Sequence, residues 1–192
     1  MSARLVLLGP PGSGKGTQGA LLADFLGVPE ISTGAIFRKN LSEGTPLGLE
    51  AQTYMSQGHL VPDSVTNAMV ADRLSQPDAA DGFILDGYPR NVEQAGVLDQ
   101  MLAEHGWTLS AALELDLDEE LAVKRMLHRA EIEGRADDTE PVIRERLTVY
   151  HQQTEPISSL YKARGDLVVV DGDGTLEQVT ERIKAALAPY LS

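Results

Sequence analysis

Lys15 follows a run of small residues, Gly9-Pro10-Pro11-Gly12-Ser13-Gly14, and precedes Gly16 and Thr17. Glycines so spaced let successive backbone N–H groups turn inward around an anion, where side chains would block them. The lysine adds a mobile point charge, and a helix opening at its position favours negative charge at its N-terminus. Gly9, Gly14 and Lys15 fit the phosphate-loop spacing G-x-x-x-x-G-K-[ST]. Gly16 stands where Ser or Thr usually holds magnesium, and Thr17 comes one place later, so ligation by Thr17 stays open. The chemistry indicated is the gripping of a nucleotide's phosphates.

Further candidates lie downstream. Phe83-Ile84-Leu85-Asp86-Gly87 reads as an apolar strand ending in a carboxylate, the usual neighbour of magnesium at such a loop. Its continuation Tyr88-Pro89-Arg90 stiffens the turn and aims an arginine across the strand ends, where it can take a phosphate bidentately. Ser32-Thr33-Gly34 and Arg38 offer a hydroxyl for a base or ribose and a second cation; alone they favour a helix cap and a solvated arginine, a preference that the other motifs reverse. Arg125 and Arg129 lie four apart and share a helix face, with Arg135 and Arg146 beyond them. Such arginines repel one another unless a strongly anionic ligand compensates, and spacing alone does not bring them together. Four scattered histidines form no metal-ligand pattern.

The elements that must position these residues follow from periodicity. Leu5–Leu8, Phe83–Leu85, Ala111–Leu117 and Leu167–Val170 read as strands, with a short fifth at Pro29–Ser32. Helical stretches alternate with them, which indicates a parallel sheet covered on both faces. Lys15–Leu26 is predicted as the first helix with Gly27 as its stop, Glu140–Ala163 as a long helix kinked or turned at Pro156, and Glu177–Leu187 as the last. Between Thr33 and Asp81 the pattern is helical and too long for a simple crossover, so it reads as an insertion. A shorter irregular piece, Glu131–Asp138, interrupts two helices; both lie where covers over a ligand crevice are expected.

The 192 residues suit one domain, with a 42% hydrophobic content ample for a core. No apolar run reaches the length of a membrane span, and the N-terminal apolar stretch reads as a strand rather than a signal peptide. The absence of cysteine excludes disulfides and thiolate-bound zinc, consistent with a cytoplasmic enzyme. A net charge of −13 argues against a nucleic-acid partner.

Taken in order, Gly9–Thr17, Ser32–Arg38, Gly58-His59-Leu60-Val61-Pro62, Asp86–Arg90 with Gln94, Arg125–Arg129 and Gly134–Asp138 with Arg146 resemble the adenylate kinases, nucleoside monophosphate kinases, over essentially the whole chain. The resemblance implies an α/β, P-loop NTPase-like three-layer fold with a five-stranded parallel sheet. It implies one kinase domain over 1–192, a helical AMP-binding insertion (core 32–62) and a short lid (130–139). The implied reaction is magnesium-dependent transfer from ATP to AMP giving two ADP, by a cytoplasmic monomer with no membrane or nucleic-acid partner. Gly12, Ser13, Gly14, Lys15, Gly16 and Thr17 would hold the donor's phosphates, with Arg125 and Arg135 flanking ATP and Arg129 and Arg146 reaching the transferring group. Arg38 and Arg90 would grip the AMP phosphate, and Thr33, the Val61 backbone and Gln94 would recognise its adenine, with Gly87 also among the substrate-binding residues; Asp86 would organise Mg2+ through water. Lys15, Arg90, Arg129, Arg135 and Arg146 make up the catalytic set. A pyrimidine monophosphate kinase would share this architecture, and Thr33 and Gln94 favour adenine; a protein that grips ATP without transfer would not need two phosphate grips. The family commonly has an acid after Ser-Thr-Gly, and Ala35 here puts AMP affinity in doubt. Asp137 and Asp138 are read evenly as latches pairing with arginines or as solvated acids.

Overall fold

A computed structural model describes residues 2–136 and 138–191. Among them the chain runs β1 (Ala3–Leu8), α1 (Lys15–Leu26), β2 (Glu30–Ser32), α2 (Thr33–Ser42), α3 (Pro46–Met55), α4 (Asp63–Leu74), β3 (Gly82–Asp86) and α5 (Val92–Glu104). It continues through β4 (Ala111–Asp116), α6 (Glu119–Glu133), α7 (Glu140–Val149), a π-helical turn (Tyr150–Thr154), α8 (Glu155–Arg164), β5 (Leu167–Asp171) and α9 (Leu176–Leu187). The strands form one sheet in the order β2-β3-β1-β4-β5, and every pairing is parallel.

Alternate residues of the apolar strands serve opposite faces of this sheet. Val6, Leu8, Ile31, Phe83, Leu85 and Ala112 pack with Val70 and Leu74 of α4, Leu98 and Met101 of α5, and Ile157 and Tyr161 of α8. Leu5, Leu7, Ile84, Leu113 and Leu115 pack with Leu22 and Ala23 of α1 and Val179, Ile183 and Leu187 of α9. The three layers expected from the strand–helix alternation are therefore present. Consecutive parallel strands leave β1 in opposite directions, to β3 on one side and β4 on the other, which opens a crevice beyond their carboxyl ends.

Most expected boundaries hold within a residue or two, and Gly27 ends α1 in the left-handed conformation. The long helix expected over Glu140–Ala163 is not one regular α-helix. It passes through the π turn at Tyr150–Thr154, and Pro156 falls in the first turn of α8, where its missing N–H costs nothing. Within the stretch expected as a lid, α6 continues to Glu133 and is closed by Gly134.

The insertion consists of α2, α3 and α4 and carries a small core of its own, Phe37, Ala51 and Val61. α2 and α3 touch through Gly48: a methyl there would lie 2.2 Å from the backbone carbon of Asn40 and the nitrogen of Leu41. Backbone cannot swing aside as a side chain can. Gly48→Ala is expected to cost about 1–3 kcal/mol through overpacking, read as a lower midpoint of thermal or denaturant unfolding. An unchanged midpoint would mean that the two helices do not pack at this distance.

Candidate active site

The loop after β1 turns against α6 rather than into solvent. Gly12, at φ +81°, has no room for a side chain: a Cβ would lie 2.6 Å from the Ala122 carbonyl oxygen and 2.7 Å from Cγ of the buried Met126. So close an approach holds the loop's N–H groups in one shape. Lys15 Nζ folds back along it, donating to the carbonyl oxygens of Gly9 (3.0 Å) and Pro10 (3.4 Å). Ser13 Oγ is buried, and among the described residues no group bonds to it. The loop borders a cavity of about 710 Å³, onto which Asp86, Arg38, Arg90, Arg125, Arg129, Arg135 and Arg146 also open. The fold thus gathers the scattered cations into one place.

Electrostatics show how crowded they are. Burial lowers the Lys15 pKa to about 8; Asp86 opposes the shift, while Arg90, Arg146 and Arg129 add to it. Burial also lowers the pKa of Arg90, again against Asp86. A polyanion is the natural complement of such a set.

Five of these arginines have identified partners: Arg90, Arg125, Arg129, Arg135 and Arg146. The Gly87 carbonyl oxygen accepts from Arg90 Nε at 2.9 Å and from Thr33 Oγ1 at 3.0 Å, tying the cation to the start of α2. The backbone oxygen of Arg90 accepts from Thr154 Oγ1 in the π turn at 2.5 Å. Asp138 bridges two helices: its Oδ2 accepts from Arg129 of α6 at 3.0 Å and its Oδ1 from Arg146 of α7 at 2.6 Å. That carboxylate is 1% exposed, so Asp138 pairs with arginines and is not a solvated acid. Asp137, the other acid considered for this part, lies outside the described residues. Arg125 donates to the Gly172 carbonyl oxygen beyond β5 (3.3 Å), and Arg135 pairs with Glu133.

A second, smaller cavity adjoins the first under the insertion and is lined by Thr33, Phe37, Arg38, Val61, Gly87 and Gln94, among others. Arg38, Arg90 and Arg146 border both spaces. Gln94 is 2% exposed and part of a network: its Oε1 accepts from the Arg90 backbone N–H at 2.7 Å, and its Nε2 donates to Asp63 at 2.9 Å. Ser32 Oγ accepts from the Ala35 N–H at 3.2 Å and so caps α2. The cap of α2 is therefore supplied by Ser32, with no acid needed at position 35 for it.

The oxygen donors near the phosphate loop suit a hard divalent cation. Asp86 closes β3 beside the loop; a Cβ on Gly16 would be 3.7 Å from Asp86 Oδ2, so no side chain stands between carboxylate and helix. Thr17 and Glu30 line the same cavity. Magnesium keeps most of its waters and takes phosphate oxygens, so one carboxylate at the site fits it. Burial, then the Asp86 charge, raises the Glu30 carboxyl to about pH 7.

Several residues that shape the site escaped the sequence analysis: Glu30, Asp63, Asn91 and Thr154. Asp63 directly follows the Gly58–Pro62 segment and Asn91 directly follows Arg90, so extending each motif by one residue would have included both. Glu30 and Thr154 carried no such signal.

A family model described as adenylate kinase matches residues 7–166 of the chain. Curated relatives agree. The adenylate kinase of Thermobifida fusca (strain YX) is 54% identical over 184 residues, covering 96% of this chain and 97% of its own. That of Kocuria rhizophila is 55% identical with 96% and 98% covered, and that of Micrococcus luteus 55% with 96% and 90%.

The depressed pKa of Lys15 has a measurable consequence. Above about pH 8 the lysine of the empty protein is increasingly neutral, and a bound polyphosphate favours the charged form. Binding of magnesium-ATP is therefore expected to take up protons at about pH 9 and progressively fewer towards pH 7. Calorimetric titration in buffers of different ionisation enthalpy measures this; equal heats in all buffers at the higher pH would show that Lys15 is not the desolvated cation described.

Proposed function

The chain belongs to the adenylate kinase family, and from that premise we propose how its residues divide the work of a reaction that converts ATP and AMP reversibly into two ADP. An oxygen of the AMP phosphate attacks the γ-phosphorus of ATP, and the bond to the β,γ-bridging oxygen breaks. The acceptor is already an anionic oxygen, so no general base is needed. Catalysis rests on alignment and on neutralising charge.

The backbone of Gly12–Thr17 holds the donor's β-phosphate, and Lys15, anchored on the loop's own carbonyls, follows the group in transfer. Arg125 and Arg135 flank ATP, while Arg129 and Arg146 reach the moving phosphoryl. Arg38 and Arg90 grip the AMP phosphate; Gly87 fixes Arg90 and Thr33 through one carbonyl oxygen. Thr33, the Val61 backbone and Gln94 recognise adenine in the smaller cavity. Asp86 would hold Mg2+ through water, and the ion would supply charge neutralisation at the phosphates. The observation that carries this reading is the junction of the two cavities, bordered by Arg38, Arg90 and Arg146. A donor chain of phosphates can enter from one side and a single acceptor phosphate from the other.

Water competes with AMP as acceptor. The segment 130–139 and the insertion act as covers that exclude it, and their movement sets the turnover rate. Because one chain lines both cavities, the enzyme works as a monomer; adenine nucleotides as substrates support a cytoplasmic location.

ADP formation from ATP with AMP, CMP, UMP or GMP as acceptor tests the assignment of the smaller cavity: magnesium-dependent turnover with AMP alone is expected, and preference for CMP or UMP would overturn the roles of Thr33 and Gln94. Arg90→Ala is expected to lose about 2.7–4 kcal/mol of transition-state stabilisation, on the order of a hundred- to a thousandfold in rate. A near-normal rate would remove Arg90 from the reacting groups.

A further inference from the structure

We propose that Asp63 is a specificity-determining positioning residue: it fixes the orientation of the Gln94 side-chain amide, and thereby makes the acceptor site select a 6-aminopurine over a 6-oxopurine. The inference rests on the reading of Gln94 as the residue that meets the base.

A carboxamide has two faces of opposite hydrogen-bonding sense, and flipping it exchanges them. Gln94 is gripped on both. The Arg90 backbone N–H can only donate, so the group 2.7 Å from it must be Oε1. The Asp63 carboxylate can only accept, so the group 2.9 Å from its Oδ1 must be Nε2. The same Oδ1 accepts from Asn91 Nδ2 at 3.0 Å, and Asn91 Oδ1 in turn accepts the Gln94 N–H at 2.8 Å, capping α5. The carboxylate is thus placed by the first turn of α4 and by the cap of α5 together.

This bonding leaves Gln94 one N–H and one oxygen lone pair. The 6-amino group of adenine is a donor and its N1 an acceptor, which match that remaining pair. In hypoxanthine the 6-oxygen accepts and N1–H donates, so both partners are inverted. The other flip of the amide would reverse the preference. With Asp63 gone, only the Arg90 N–H opposes that flip, and the buried Nε2 loses its partner.

The test is the ratio of dissociation constants for IMP and AMP, measured by calorimetry on the whole chain and on Asp63→Ala, Asp63→Asn and Gln94→Ala. Asp63→Ala is expected to lower the ratio about three- to tenfold, the discrimination of one neutral hydrogen bond. Asp63→Asn, which keeps an acceptor oxygen, is expected to restore most of it. A purely structural role would weaken both nucleotides alike and leave the ratio unchanged. If Asp63→Ala does not fold, Asp63→Leu removes the acceptor at similar shape and carries the same expectation. A ratio that falls in Gln94→Ala but not in Asp63→Ala overturns the role of Asp63 alone. A ratio unchanged in both overturns the base-reading role of Gln94, and the proposal with it. Equal losses in Asp63→Ala and Asp63→Asn would show that charge, not the acceptor, is what matters, and would overturn the orienting role.

Discussion

Lys15, Arg90, Arg129 and Arg146 share one end of the sheet, and their mutual repulsion is the constraint that the rest of the structure answers. Two of them, Lys15 and Arg90, are pushed towards their neutral forms by burial, and the other cations push Lys15 further. Buried like charges cost stability unless something fixes them. Here the fixing groups are mostly neutral carbonyl oxygens, those of Gly9, Pro10 and Gly87, which orient a cation without cancelling its charge. The site keeps its positive potential for the polyanion it is built to receive.

Two carboxylates act on these four cations, and each does a different job. Asp86 faces Lys15 and Arg90 from the end of β3 and limits the drop in their pKa values. Asp138 joins Arg129 to Arg146 and so joins α6 to α7 across the segment between them. Those two guanidinium groups already have an anionic partner, and an entering anion would compete with that carboxylate for the same nitrogens.

The sequence made the sheet, its helical cover and the phosphate loop legible because each depends on local chemistry: apolar runs, glycine spacing, a lysine at a helix start. The arginines were legible as candidates, but their convergence was not, since it depends on the strand order that sets β1 between β3 and β4. Thr154 was invisible for a related reason. It acts through one long-range hydrogen bond, to the backbone of Arg90, and a lone hydroxyl on a helix carries no pattern of its own. Periodicity also joined α7 and α8 into one helix, because the residues on either side of the π turn keep their apolar spacing.

That turn gives the helix pair its working register. Arg146 and Thr154 are eight residues apart, and on a regular helix of about 100° per residue they would diverge by roughly 80°. One additional residue taken up in a wider turn rotates the downstream residues back by a similar angle, and the two line one cavity. One rod thus brings a guanidinium to the junction of the two cavities and a hydroxyl to the backbone of Arg90. The helix works as a gauge block between these two points, and its length in residues, more than the identity of most of them, is what the spacing depends on. A single-residue deletion between Tyr150 and Thr154 would leave every motif of the sequence intact and still turn the two halves of the site out of alignment.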